Sequence, residues 1–431
     1  MMLKQLQFLV DRMYQGYSVL DKFTYRFFQD GILEEEVRNG ASILSVISSP
    51  LKRFCTFPGT SRYIVSSDDL QSALDSLEDA LVNLSEFVVL LGGCERILRR
   101  PFDAYLYADN FMFGRHFEKQ HITNILLQNP VHLSGPVVLP VIGGFKVGKK
   151  TLIAHVCNNE RVRSHFSTIL YINEDSMRSI GQAEISKGNT LFILELFSDI
   201  DNEDWVKFYS SVASMGGSRS KVIVITRLHN LARLGTIKPV YLNRLSREEF
   251  SYLFKILAFG STDASEHPQL ASVASKLATT ILSGSLITAN VIADLLRRKQ
   301  NIKYWLHILQ RFKAMFDHNL AKFGEHPRDL IEKEHHVEIT GYTSSSYPVR
   351  LRLMMPPLVE GDDCHKRKQL SQVMFGDIIA GFTVIPKAEF EIVSWESRLP
   401  PYTKFVHSVE TCVKEKDSCT TPQGKRRFGS L

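Results

Sequence analysis

Residues 137–152, VVLPVIGGFKVGKKTL, constrain the fold more than any other stretch of this chain. A short apolar run leads into a glycine-rich turn, and a segment able to form a helix follows directly. Such a turn gathers backbone N–H groups around one point with a helix N-terminus behind them, which makes a seat for an anion. Gly143, Gly148 and Lys149 meet the G-x-x-x-x-G-K-[ST] spacing of a phosphate-binding P-loop, with Gly144 and Val147 inside the turn. The final position departs from the pattern. Lys150 stands where a hydroxyl normally holds Mg²⁺, and Thr151 comes one place late. The stretch reads as a phosphate site with damaged metal chemistry.

Around this motif, short β-branched or aromatic runs alternate with helical patterns. The runs are Val137–Ile142, Thr168–Ile172, Thr190–Leu196, Val222–Thr226 and Val240–Leu242, with helices expected over Lys149–Cys157 and Asp204–Met215. Alternation of this kind implies βαβ units and a parallel sheet covered on both faces. The P-loop falls after the first strand, which is the context the motif requires.

The flanking regions read differently. Leu6, Leu9, Met13, Tyr17 and Leu20 recur at helical spacing, as do Leu70, Leu74, Leu77, Leu81 and Leu84 beyond Ser67. These stripes are expected to form core, with a partner-binding bundle as the alternative; residues 48–62 between them read as a loop. After the sheet, Ser246 and Glu249 have capping-box spacing ahead of Phe250, Leu253, Phe254 and Leu257, and Gly260 is a stop. Further helices are expected over Val273–Leu282, Ile287–Leu296 and Trp305–Phe316. Residues 325–336 read as a charged linker or solvated helix. Val349–Met354, Phe382–Ile385 and Phe390–Trp395 look like strands of a small module.

The architecture expected is multidomain α/β. Residues 1–109 form an N-terminal helical domain and 110–243 the P-loop parallel-sheet domain. Residues 244–336 form a helical subdomain with linker, 337–411 a β-rich module and 412–431 a disordered tail. A length of 431 residues accommodates such a division, and a net charge of +6 is too mild to argue for nucleic acid. No apolar run is long enough for a transmembrane helix and no signal peptide is expected, so a cytoplasmic setting with reduced cysteines is the simplest reading. His116, His155 and His165 lack a placed nucleophile or acid and are expected at surface or interdomain positions. Asp21 is expected on a solvated face.

Taken in order, the central motifs resemble the NB-ARC nucleotide-binding domain of plant disease-resistance proteins. Phe113-Gly114-Arg115 looks like the family's Gly-Arg motif, and the P-loop follows. Leu191–Phe197 occupies the Walker B position, and Gly217–Arg227 is similar to the sensor strand, with Arg227 as the arginine that the resemblance implies senses the terminal phosphate. Tyr241–Gly260 matches the next motif, and Ser283–Ala289 is a counterpart of the GLPL motif. Leu9–Phe23 looks like part of the coiled-coil-type helical domain preceding NB-ARC in this family.

The departures bear on chemistry. Phe145 and Lys146 replace glycines, Glu195 stands for the metal-holding aspartate, and Leu196 replaces the acid that would prepare the attacking water. Leu286 or Ile287 stands where the family has a nucleotide-contacting proline, and no leucine-rich repeat is seen. The resemblance therefore implies a degenerate member with a defence role that binds ADP or ATP, does not use Mg²⁺ and has little or no NTPase activity. The nucleotide site would comprise Gly143, Gly144, Val147, Gly148, Lys149, Lys150, Thr151 and Arg227, and protein partners would meet the N-terminal helices. The alternatives are a scaffold or decoy that binds no nucleotide and, behind it, an active P-loop enzyme of another family.

Overall fold

Apolar runs too continuous to leave one face in water become the strands of a buried sheet. The computed structural model describes residues 2–25, 67–82, 112–128, 135–179, 188–215, 219–281, 284–333, 335–339, 349–354, 371–380, 390–396 and 404–411. The expected loop at 48–62, the strand at Phe382–Ile385 and the tail from 412 lie outside them. Strands β1 (Val137–Gly143), β2 (Thr168–Ile172), β3 (Thr190–Leu196), β4 (Lys221–Thr226) and β5 (Val240–Leu242) form one sheet in the order β2-β3-β4-β1-β5. Every neighbouring pair is parallel.

Period-two alternation sorts these strands between two cores. Leu139, Val141, Leu191, Ile193, Ile223 and Ile225 share one apolar cluster. That cluster also holds side chains of α3 (His116–Leu127) and α4 (Lys149–Cys157). Val138, Phe192, Leu194, Val222 and Val224 turn the other way and meet Phe208 and Val212 of a helix at Asn202–Met215. Central strands buried on both faces read as unbroken apolar runs for this reason.

A proline in a central strand ordinarily breaks the ladder. Pro140 escapes because of its parity. Val138 N–H donates to Thr236 Oγ1 at 2.8 Å, so the N–H positions of β1 at 138 and 140 face the β5 side. Pairing with β5 starts only at Val141. Gly235 packs there, where a Cβ would lie 2.7 Å from the Pro140 ring.

The helical block follows. Helix α8 (Arg247–Phe259) starts on a complete capping box between Ser246 and Glu249 and buries Phe250, Leu253, Phe254 and Leu257 as the spacing predicts. Helices α9 (Pro268–Lys276), α10 (Leu286–Arg298) and α11 (Ile302–Phe323) complete the block. Trp305 of α11 is fully buried, its indole N–H shared between Leu296 O at 3.0 Å and Lys299 O at 3.1 Å.

A second sheet comprises β6 (Val337–Glu338), β7 (Val349–Met354), β8 (Ser371–Met374), β9 (Phe390–Glu396) and β10 (Lys404–Thr411), in the order β6-β7-β10-β9-β8. Phe390 and Ile392 share the core of the helical block, so this sheet packs on the helices. Asn319 of α11 exchanges hydrogen bonds with both backbone groups of Glu338, as a neighbouring strand would. The buried Glu338 carboxylate meets Lys322 at 2.6 Å and His318 at 2.9 Å.

Helix α1 (Met2–Thr24) packs against α2 (Ser67–Val82) and α8. The expected α1 stripe is only partly covered: Tyr14 is buried, whereas Met13, Tyr17 and Leu20 remain exposed, and the contact with α8 runs through Tyr14 and one side of the Tyr17 ring on Tyr252. Asp21 is not solvated as expected; it pairs with Lys255 of α8 at 2.5 Å. His155 is also corrected, being buried within α4, while His116 is exposed. Among the described residues, no helix is long and apolar enough to cross a membrane.

Candidate phosphate-binding site

Because the strands are parallel, their carboxyl ends converge and bring the expected site residues together. Gly143 closes β1, Glu195 and Leu196 close β3, and Thr226 closes β4 with Arg227 next in the chain. Glu195 lies opposite Ile225 and Ile142 lies opposite Thr226, so the motifs share one rim.

Glycine at 143 is imposed by crowding, since a Cβ would stand 2.5 Å from the carbonyl oxygen of Leu242. Lys146 adopts a left-handed φ of 54°. A side chain there costs on the order of 1 kcal/mol against glycine. Gly148, at φ 92°, enters α4 with no side chain capping the helix. The N–H groups of the first α4 turn thus have no side-chain acceptor at the cap, the condition that suits an incoming anion. Val147 is buried beneath the turn, and Thr151 sits in the first turn of α4.

The lysines take different partners. Lys149 Nζ folds back and donates to Gly143 O at 2.7 Å and Gly144 O at 2.8 Å. Burial brings its pKa down to about 8, with Arg227 and Lys150 pressing the same way against Glu195 and Glu332. Lys150 Nζ meets Glu195 Oε2 at 2.6 Å. An ammonium therefore contacts the carboxylate that would hold Mg²⁺, and Leu196 beside it is buried and has no proton to exchange. The residues fit a phosphate group; they do not fit a divalent cation.

Lys146 is held between the Phe145 ring at 4.9 Å and the Phe405 ring of β10 at 5.1 Å. Burial lowers its pKa to about 8. His407, two residues along β10, is buried beside it, and that burial with the Lys146 charge holds the imidazole down at about 3. The second sheet thus lies on the P-loop, and a mostly apolar pocket opens between the turn, the start of α10 and α11, lined by Phe145, Val147, Leu286, Ile287, Phe312 and Phe316. Arg115 is buried and donates to Asn243 O and to Glu118, tying the start of α3 to the end of β5.

Sequence reasoning missed Glu332 and Arg244. The short helix α12 (Pro327–Glu332), expected as linker or solvated helix, buries Pro327 and Leu330 and ends against the turn. Glu332 accepts from Phe145 N–H at 3.4 Å and from Arg244 at 2.9 Å. With Phe145 and Glu332 187 positions apart in the chain, no local pattern announces the contact.

No protein-family model matches the chain. Among curated proteins, disease resistance protein RGA2 of Solanum bulbocastanum is 28% identical over 225 residues, covering 46% of this chain and 23% of the relative. The putative disease resistance protein RGA4 of the same species is 26% identical over 225 residues, covering 46% of this chain and 22% of the relative. The aligned stretch spans less than a quarter of the length of these relatives. They bear out the resemblance to plant NB-ARC disease-resistance proteins over nearly half of the chain. Among solved structures, that of Drosophila ORC bound to DNA aligns with 57% of this chain and 75% of its own at 11% identity, with a TM-score of 0.33.

Proposed function

We propose that the chain binds ADP on its P-loop without Mg²⁺ and without hydrolysing it, as part of a defence protein in the cytoplasm. The observation that carries this reading is the Lys150–Glu195 pair at 2.6 Å. Its ammonium supplies positive charge at the metal position, where Lys149 and the α4 N-terminus add theirs. Phosphoryl transfer needs a placed metal and an oriented nucleophile, and Leu196 orients none. The diphosphate would meet the backbone N–H groups from Lys146 to Lys150, with Arg227 at its far side. The base would lie toward the apolar wall of Leu286 and Ile287.

Titration calorimetry with ADP, in EDTA and then in Mg²⁺, tests the reading. Dissociation constants agreeing within about threefold are expected. No heat and no thermal stabilisation at millimolar ADP would remove nucleotide binding altogether. That result would leave the scaffold reading, which the exposed Phe8, Tyr17 and Leu20 of α1 and Leu81 of α2 favour as a protein-contact surface.

A further inference from the structure

Glu332 brings a negative charge to a turn built to receive one. Its helix is fixed at both ends. His326 Nδ1 accepts from Arg328 N–H at 3.0 Å, and the His326 ring meets Phe316 edge-on at 4.8 Å. At the other end, Glu332 Oε2 accepts from Arg244 at 2.9 Å, which directs Oε1 to the Phe145 N–H at 3.4 Å. Oε1 also lies 3.9 Å from where a Cβ on Gly144 would be.

The position along a bound phosphate chain follows from Lys149. A P-loop lysine reaches the β- and γ-phosphates, while the backbone N–H groups nearer the helix cradle the α- and β-phosphates. Lys149 Nζ bonds the carbonyls of Gly143 and Gly144, immediately before Phe145. The carboxylate on Phe145 N–H therefore occupies the end of the cradle farthest from α4, and Lys149 feels its charge. A diphosphate can use the helix end of the turn and leave Glu332 in place. A third phosphate would have to displace a carboxylate from its arginine or lie beside it, like charge against like.

We infer that Glu332, positioned by Arg244, is a specificity-determining residue that selects nucleoside diphosphate over triphosphate. This rests on the proposed nucleotide binding. It makes the preference for ADP a property of this chain's own side chains.

The test is calorimetry of ADP and ATP in EDTA, on the parent and on Glu332→Gln. Glutamine keeps the shape and one acceptor oxygen, for Phe145 N–H or for Arg244, while removing the charge. The parent is expected to bind ADP more than about tenfold tighter than ATP, and the variant to narrow that ratio to about threefold by gaining ATP affinity. Glu332→Ala, measured in parallel, should narrow it as well, so the result does not depend on one variant's folding. A parent that binds both nucleotides equally, or variants that leave the ratio unchanged, overturn this inference alone. A parent that binds neither overturns the proposed function with it.

Discussion

Two lysines at opposite ends of the parallel sheet, one buried and one half-buried, show how one side chain is used in two settings. Lys221, the first residue of β4, is 2% exposed and donates to Ile125 O at 2.9 Å, Leu126 O at 2.8 Å and Gln128 O. It satisfies carbonyls that the end of α3 leaves without helical partners. Lys149, at the carboxyl end, donates to two carbonyls of an open turn. Burial pulls both ammonium groups down to about 8. Perturbed acidity therefore does not separate structure from function here. What separates them is the use of the three N–H bonds and the company kept. Lys221 spends all three on fixed backbone, while Lys149 spends two among the described residues and stands among Lys150, Arg227 and Glu195.

The sharpest way to break this comparison is to remove each ammonium in turn. Lys221→Met should lower unfolding free energy by about 3 kcal/mol in chemical denaturation, because buried carbonyls lose a charged donor. Lys149→Met should cost less than about 1 kcal/mol, since water reaches the turn, yet abolish ADP binding in calorimetry. Equal losses of stability would show that both lysines are structural.

A smaller effect sharpens the account of the carboxyl end. Exchanging the ion pair for a metal-competent set, Lys150→Thr with Glu195→Asp, should make ADP binding respond to Mg²⁺. Affinity in Mg²⁺ should exceed that in EDTA by about tenfold, about 1.4 kcal/mol, where the parent is expected to agree within about threefold. An unresponsive double variant would mean that the pair is not what keeps the metal out.

The smallest effect concerns the second sheet where it lies on the P-loop. His407 titrates at about 3 in the folded chain and near its ordinary 6.5 when unfolded. Between these values the unfolded chain binds the extra proton, so stability falls as pH falls through 6.5. About 1 kcal/mol should be lost between pH 6.5 and 5.5 in thermal unfolding, and His407→Phe should flatten that slope. His165, which burial and the Lys221 charge also hold below the usual imidazole value, adds to the slope from the amino end of the sheet, so the His407→Phe variant keeps that remainder.

Much of this was legible in the residues because it is local. The P-loop strand, the helix at Lys149–Cys157 and the Ser246–Glu249 capping box each depend on neighbours within a few positions, and each formed where the spacing puts it. The degenerate positions were also legible, since Lys150 and Leu196 are identities. Their pairing was not: whether Lys150 faces water or Glu195 depends on two strand ends meeting. Glu332 was further out of reach, because α12 carries charge at a spacing that suits a solvated helix as well as a packed one. Asp21 and His155 misled for the same reason, as polarity alone does not report which face a helix buries. The strands β8 and β10 lacked a clean alternation that would announce them.

Pro140 has an effect beyond its own strand. By offering no donor toward β5, it keeps that outer strand to the three residues Val240–Leu242. A rim so short gives a second chain little to zip onto, and sheets joined through such rims are a common start of insoluble assemblies. One imino acid in the middle of a fully buried strand thereby helps keep separate molecules from merging their sheets.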